Sequence, residues 1–132
     1  MVFDIDHFKR VNDILGHDMG DQILKEVAAR LVTNMRAIDV VSRYGGEEFM
    51  IAMPNTQVDE ALVAADRVRS LIAGTPIFVD GEALQVTTSV GVAEVEAGEN
   101  LRDVFKRADD ALYKAKEGGR NKALPAQVRK AA

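Results

Sequence analysis

The stretch that decides the fold is RYGGEEF, residues 43–49, which lies between two apolar runs at Val40–Val41 and Phe49–Met53. A Gly-Gly pair between such runs predicts a β-hairpin with a two-residue turn, because both central positions of that turn need a positive φ. Successive residues of a strand point to opposite faces of the sheet. We therefore expect the adjacent carboxylates of Glu47 and Glu48 to have different roles.

The composition limits the class of protein. The chain has 132 residues, enough for one domain with its own hydrophobic core, and its net charge is -4. It has no cysteine, which excludes disulfides and thiolate zinc sites and is typical of a reducing, cytoplasmic compartment. The negative charge argues against nucleic acid as a partner, since proteins that bind its backbone usually have a basic face. No apolar run is long enough to be a membrane segment.

Apolar residues at helical spacing predict four helices, over residues 7–15, 21–35, 56–72 and 100–117. Gly16 is the predicted C-terminal cap of the first helix. Asp21, Thr56 and Asn100 are the predicted N-caps of the other three, and Thr56 and Asn100 each have an aspartate three residues later. In the second helix, the apolar residues from Ile23 to Met35 have the spacing of a strongly amphipathic helix.

Strands are predicted at residues 2–5, 40–41, 49–53, 77–79, 84–92 and 121–124, with a second hairpin turn at Asp80-Gly81. The order of elements predicts an α/β (α+β) fold in which a mixed, largely antiparallel sheet is flanked by helices. One domain over residues 1–124 is expected, with a frayed tail over 125–132. Val2-Phe3 followed at once by aspartates resembles the end of a buried strand, so we expect a missing upstream segment.

Acidic residues follow two of the predicted strands: Asp4 and Asp6 at the first, Glu47 and Glu48 at the hairpin. If these strands are neighbours, Asp4 and one glutamate can converge. Carboxylates at close range repel unless a cation or a proton lies between them. Oxygen ligands suit Mg²⁺ or Mn²⁺, which take further ligands from water and phosphate. Without other information, solvated turn residues remain the better interpretation of these four acids.

Three further features could bind a nucleotide. The helix that begins near His7 directs free N–H groups at the same place, and Lys9 adds positive charge there. Lys116 and Arg120 lie where the last helix ends, although they could simply complement its C-terminus. Asn12 and Asp21 could read guanine, because a carboxylate accepts from N1–H and N2–H₂ and leaves adenine unpaired. N-capping is the alternative role of Asp21.

Six motifs occur in order along the chain: DIDxFKxxND (4–13), GHDxGD (16–21), RxxD (36–39), RYGGEEF (43–49), SxG (89–91) and ADxALYxAKxxGRN (108–121). Together they resemble the GGDEF family of bacterial diguanylate cyclases, which condense two GTP into cyclic di-GMP. The resemblance covers most of residues 2–122. Glu47 stands where the family name has an aspartate, and this variant keeps the carboxylate.

The resemblance implies a fold similar to nucleotide cyclase and polymerase palm domains, and a role for each matching residue. Asp4, the carbonyl of Ile5 and Glu47 would hold Mg²⁺ or Mn²⁺. Glu47 would also be the base for the ribose 3′-hydroxyl or its metal-bound activator, assisted by Glu48. The residues that would bind GTP and its phosphates are Phe8 and Lys9 at the first helix, Asn12, His17, Asp21, Lys116 and Arg120.

The resemblance also implies that the chain acts as a homodimer, because each domain binds one GTP and two domains must meet. Arg36 and Asp39, with Arg67 from the neighbouring domain, would form an inhibitory site for the cyclic di-GMP product. The parent protein would carry a sensor or receiver domain before this one. The alternative is a regulatory module that binds GTP or cyclic di-GMP without catalysis, with the chain inactive alone.

Overall fold

The computed structural model describes residues 1–128, in which strands and helices alternate largely as predicted. The helices of this part are α1 Phe8–Leu15, α2 His17–Asn34, α3 Val58–Gly74 and α4 Leu101–Glu117. Its strands are β1 Val2–Ile5, β2 Val40–Arg43, β3 Glu48–Ala52, β4 Ile77–Val79, β5 Glu82–Leu84, β6 Thr88–Val92 and β7 Ala123–Pro125. None of the helices within residues 1–128 is long and apolar enough to cross a membrane.

Strand β1 lies at the centre of a five-stranded sheet of order β2-β3-β1-β6-β7. All neighbouring pairs are antiparallel except β6 and β7, and β4 and β5 form a separate two-stranded sheet. All four residues of β1 are buried, as expected for a strand covered on both faces. The predicted fold class, a mixed and largely antiparallel sheet flanked by helices, is confirmed.

The alternation of β1 assigns its side chains to two faces. Phe3 and Ile5 belong to the main core with α2 and α3, whereas Val2 packs with Ala108 and Leu112 of α4. Asp4 therefore lies on the α4 face, because residues two apart on a strand share a face.

Gly91 of β6 allows α4 to lie directly against the sheet. A Cβ atom at this position would lie 2.0 Å from the Ala108 carbonyl oxygen and 2.6 Å from the Leu112 backbone nitrogen. Both are backbone atoms of α4, so no side chain could move aside to make room. The close packing of α4 on the sheet therefore requires glycine, which has no side chain, at position 91.

The prediction of a two-residue turn at Gly45-Gly46 is wrong. The Tyr44 N–H donates to the Glu48 carbonyl at 2.7 Å, so the turn has three residues, and of the two glycines only Gly45 has a positive φ, at 79°. The register explains the extra residue, since Val41 pairs with buried Ile51 and a two-residue turn would move that pairing by one position.

Two of the three predicted N-caps are also wrong. Gly16, with φ 90°, turns the chain so sharply that α2 begins at His17, and Asp21 lies inside that helix. Gln57 precedes α3, and the Thr56 hydroxyl donates instead to the Pro54 carbonyl at 2.9 Å. The cap at Asn100 is confirmed, because its side chain accepts from the Asp103 N–H at 2.8 Å.

The predicted strand over residues 84–92 is divided between two sheets. Strand β5 ends at Leu84 and β6 begins at Thr88. Thr87, between the two strands, makes two hydrogen bonds with Asp6. Its carbonyl accepts from the Asp6 N–H at 2.9 Å, and its hydroxyl donates to the Asp6 carboxylate at 2.7 Å, just before the chain enters the large sheet. In the predicted tail the Ala126 N–H donates to the Val92 carbonyl at 2.7 Å, and residues 129–132 lie outside the described part.

Candidate active site

Asp4 is the centre of the candidate site. Its carboxylate is 4% exposed and pairs with the ammonium group of Lys116, which α4 brings across the sheet. Burial raises the pKa of Asp4; the hydrogen bond and charge of Lys116 lower it, while the charges of Glu47 and Asp6 raise it. Two residues 112 positions apart in the chain thus meet at one point. Several charged groups therefore act on one carboxylate at this end of β1.

Glu48, rather than Glu47, lies directly opposite Asp4 in the sheet. Burial raises the pKa of Glu48, and the charges of Asp4 and Asp109 raise it further, against the effect of Lys116. Glu47 lies in the turn, where its carbonyl accepts from the Ile5 N–H at 3.4 Å. Because directly opposite residues of paired strands share a face, Glu48 lies on the same face of the sheet as Asp4, and Asp4 is coupled electrostatically to both glutamates.

The donor set fits a hard divalent cation. Asp4 and Glu47 offer carboxylates beside the main chain of Ile5, and carboxylate crowding of this kind is relieved by bound positive charge. Within residues 1–128, no three His, Asp or Glu side chains are grouped to hold a metal by themselves. An ion here would therefore need oxygen atoms from water or from a ligand, as Mg²⁺ commonly does.

Asp6, two residues from Asp4, acts on the charge of Asp4 but is itself held by hydrogen bonds to other groups. Its buried carboxylate accepts from the Thr87 hydroxyl at 2.7 Å, the Ser89 hydroxyl at 2.6 Å and the Asn121 N–H at 3.0 Å. Asp6 therefore ties the segment after α4, which contains Arg120, to the sheet. Sequence reasoning missed this role, and the one signal for it in the motifs was the serine of SxG, because the bond from Asn121 comes from its backbone.

The phosphate-binding candidates gather around the start of α1. Helix α1 begins two residues after Asp6, and the N–H groups of its first turn have no partner within the helix. Lys9 is exposed, and Arg120 follows α4 with φ 65°. The side chain of Phe8 lies in the core, so a contact of this residue with a ligand would have to come from its backbone N–H.

The residues predicted to read a base lie on α1 and α2. The Oδ1 atom of Asn12 is buried, and no partner for it is present in the described part of the chain. A Cβ atom at Gly20 would lie 1.8 Å from this oxygen, so the glycine makes room for Asn12 beside Asp21. His17 and Asp21 are exposed on the first turns of α2.

Arg36, Asp39 and Arg67 line one depression of about 180 Å³. The Arg36 guanidinium donates to Asp39 at 2.8 Å and holds the pKa of that carboxyl below its usual range. It also donates to the Thr56 hydroxyl at 2.6 Å. Arg67, which we expect to contribute from a neighbouring domain, also lines the depression of its own chain.

A larger groove, of about 690 Å³, lies elsewhere and contains none of the candidate residues. Its walls are mainly apolar and come from the ends of β1, β3 and β6 and the start of α4. Volume alone is a poor guide to the site in this molecule, because the charged groups meet at Asp4 and not in this groove.

Comparisons with known proteins give one consistent family. The family model described as diguanylate cyclase, GGDEF domain matches residues 1–122. The response regulator PleD of Caulobacter vibrioides is 48% identical over 124 residues, which are 92% of this chain but only 27% of that protein. The chain thus spans about a quarter of the length of this relative.

Solved structures of GGDEF and GGEEF domains have a fold similar to that of this chain. The GGDEF domain of DgcB from Caulobacter crescentus, in complex with c-di-GMP, superposes with a TM-score of 0.91 at 36% identity, covering 96% of this chain and 76% of that one. The active GGEEF domain of a diguanylate cyclase from Vibrio cholerae superposes with a TM-score of 0.88 at 36% identity, covering 97% and 81%.

Proposed function

Because the chain belongs to the GGDEF family of diguanylate cyclase domains, we propose that residues 1–124 condense two molecules of GTP into cyclic di-GMP and two of pyrophosphate. The observation that carries this proposal is the meeting of Asp4, Lys116 and the hairpin glutamates beside the start of α1. This arrangement combines acidic oxygens for a cation with positive groups for phosphate.

Each of the two condensations forms one bond and breaks one. The 3′-oxygen of one GTP attacks the α-phosphorus of the other, the bond to the β-phosphate breaks, and pyrophosphate leaves. Glu47 accepts the proton of the 3′-hydroxyl, directly or through a bound water. A divalent cation held by Asp4, the Ile5 carbonyl and Glu47 would supply charge neutralisation at the reacting phosphates.

The remaining residues bind and orient the nucleotide. Lys9, Lys116, Arg120 and the first N–H groups of α1 bind the phosphates, which places positive charge where negative charge develops. Asn12, His17 and Asp21 contact the guanine nucleotide. Adenine has no N1–H and no amino group at C2, so it would leave the carboxylate of Asp21 without these donors, and this loss disfavours adenine.

A complete site needs two copies of the chain, since each contributes one GTP. The hairpin would let a second copy of the chain come close, because Gly46 has no side chain and a Cβ atom built there would have no other atom within 4 Å. We therefore expect the rate to rise more steeply than linearly with protein concentration, as mass action on a dimer requires.

The test is incubation of the chain with GTP and Mg²⁺ or Mn²⁺, followed by detection of cyclic di-GMP and pyrophosphate. Product is expected over a series of protein concentrations, absent with ATP and abolished by a chelator. Binding of GTP without any product, even at the highest protein concentration, would contradict the proposal and favour a regulatory module.

Arg36→Ala is expected to weaken inhibition by cyclic di-GMP about tenfold or more, because the variant loses charged hydrogen bonds to the product. Turnover is retained, so the progress curve should stay linear for longer than that of the parent chain. Arg102→Ala, at an exposed arginine of α4, is the matched control, and cyclic di-GMP should inhibit it as strongly as it inhibits the parent chain. Equal inhibition of both variants by added product would exclude the depression as the inhibitory site.

A further inference from the structure

The ring of Tyr44 packs on the ring of Phe105. Their centroids are 4.9 Å apart and the planes are inclined at 58°, within the range in which aromatic pairs attract each other. Tyr44 immediately precedes Gly45 in the turn, and Phe105 lies in the second turn of α4. The contact therefore joins the glycine turn to a helix far away in the chain.

Phe105 belongs to a row of α4 residues that face the candidate site. Asp109 follows it by four positions and Lys116 by eleven, a spacing that keeps all three on one side of a helix. Phe105 touches Tyr44, Asp109 acts on the charge of Glu48, and Lys116 pairs with Asp4. Helix α4 thus contacts the turn through Phe105 and the centre of the site through Lys116, and Asp109 between them acts on the charge of Glu48.

The hydrogen bonds of the turn are made within the hairpin and with β1. The Tyr44 N–H donates to the Glu48 carbonyl at 2.7 Å, and the Arg43 guanidinium donates to the Gly46 carbonyl at 2.8 Å. Both bonds lie within the hairpin and fix its shape only. The two glycines contribute no side chain. The Ile5 N–H donates to the Glu47 carbonyl at 3.4 Å, which joins the turn to β1 beside the pairing of Asp4 with Glu48.

We propose that Tyr44 is a positioning residue, whose ring on Phe105 holds the glycine turn over α4 so that the Glu47 carboxylate stays near Asp4. This inference rests on the proposed cyclase function. The aromatic ring of Tyr44 makes the contact with Phe105, and the contact does not need the Tyr44 hydroxyl. A turn released from Phe105 would spend less time with Glu47 in place.

Kinetics of four variants and one control variant test the role. Tyr44→Ala and Phe105→Ala are each expected to lower kcat for cyclic di-GMP about three- to tenfold, the range that an aromatic pair contributes beyond its buried area. KM for GTP should change little, because the phosphate-binding groups are untouched. Tyr44→Phe should restore the parent rate. The double variant should be no worse than the poorer single variant, and Tyr113→Ala, at an exposed tyrosine of α4, is the control.

Hydrogen exchange of the full chain separates this inference from the cyclase proposal. Amides of residues 44–48 should exchange faster in Tyr44→Ala than in the parent chain or in Tyr44→Phe, whether or not any protein makes product. If the parent chain makes no product, the cyclase proposal fails and exchange alone decides the role of Tyr44. Unchanged exchange in Tyr44→Ala, or equal damage by Tyr44→Phe, would overturn the positioning role.

Discussion

Glu47→Gln is expected to lower cyclic di-GMP formation by about 10²–10⁴-fold, the usual contribution of a general base. Glutamine keeps the size of the side chain but carries no negative charge, so it can neither accept the 3′-hydroxyl proton nor balance a cation beside Asp4. Initial rates with GTP and Mg²⁺ measure the loss, and GTP binding by calorimetry shows whether the nucleotide site remains.

Two glutamate variants make this result specific. Glu48→Gln is expected to cost less, about tenfold, because Glu48 lies opposite Asp4 as an electrostatic neighbour rather than as the base. Glu82→Gln, at an exposed residue of β5, should have no effect. Equal product from Glu47→Gln and the parent chain would remove the role given to Glu47. A greater loss in Glu48→Gln would reverse the two assignments.

Gly91→Ala is expected to destabilise the fold by about 3 kcal/mol or more, at the upper end of what overpacking usually costs. The added methyl would lie 2.0 Å from the Ala108 carbonyl oxygen, and only a shift of all of α4 could relieve the clash. Urea denaturation followed by circular dichroism measures the change. Activity should fall as well, since α4 carries Lys116 to Asp4.

Gly74→Ala is the matched control for this prediction. Gly74 is the last residue of α3, its φ is not positive, and a Cβ atom there has no other atom within 4 Å. The free energy of unfolding should be unchanged or slightly higher, because alanine restricts the unfolded chain. A Gly91→Ala protein as stable as Gly74→Ala would show that α4 does not rest on β6 as closely as the structure has it.

Much of the fold could be predicted because its signals are local. The buried strand at Val2–Ile5, the helical periodicities and the Asn100 cap depend on neighbours in the chain and appear in the structure. Predictions failed where a distant contact overrode a local preference. The turn gained a residue because Val41 had to meet Ile51, and the strand over 84–92 broke because Thr87 bonds to Asp6.

The sequence by itself determined the family, the class of fold and most of the residues that could do the chemistry, since these follow from motifs and short-range patterns. Only the tertiary structure decided how they meet. It brought Lys116 to Asp4, aligned Glu48 rather than Glu47 with that residue, gave Asp6 an anchoring role and packed Tyr44 on Phe105. These contacts join residues far apart in the chain, and register, burial and helix packing select them together.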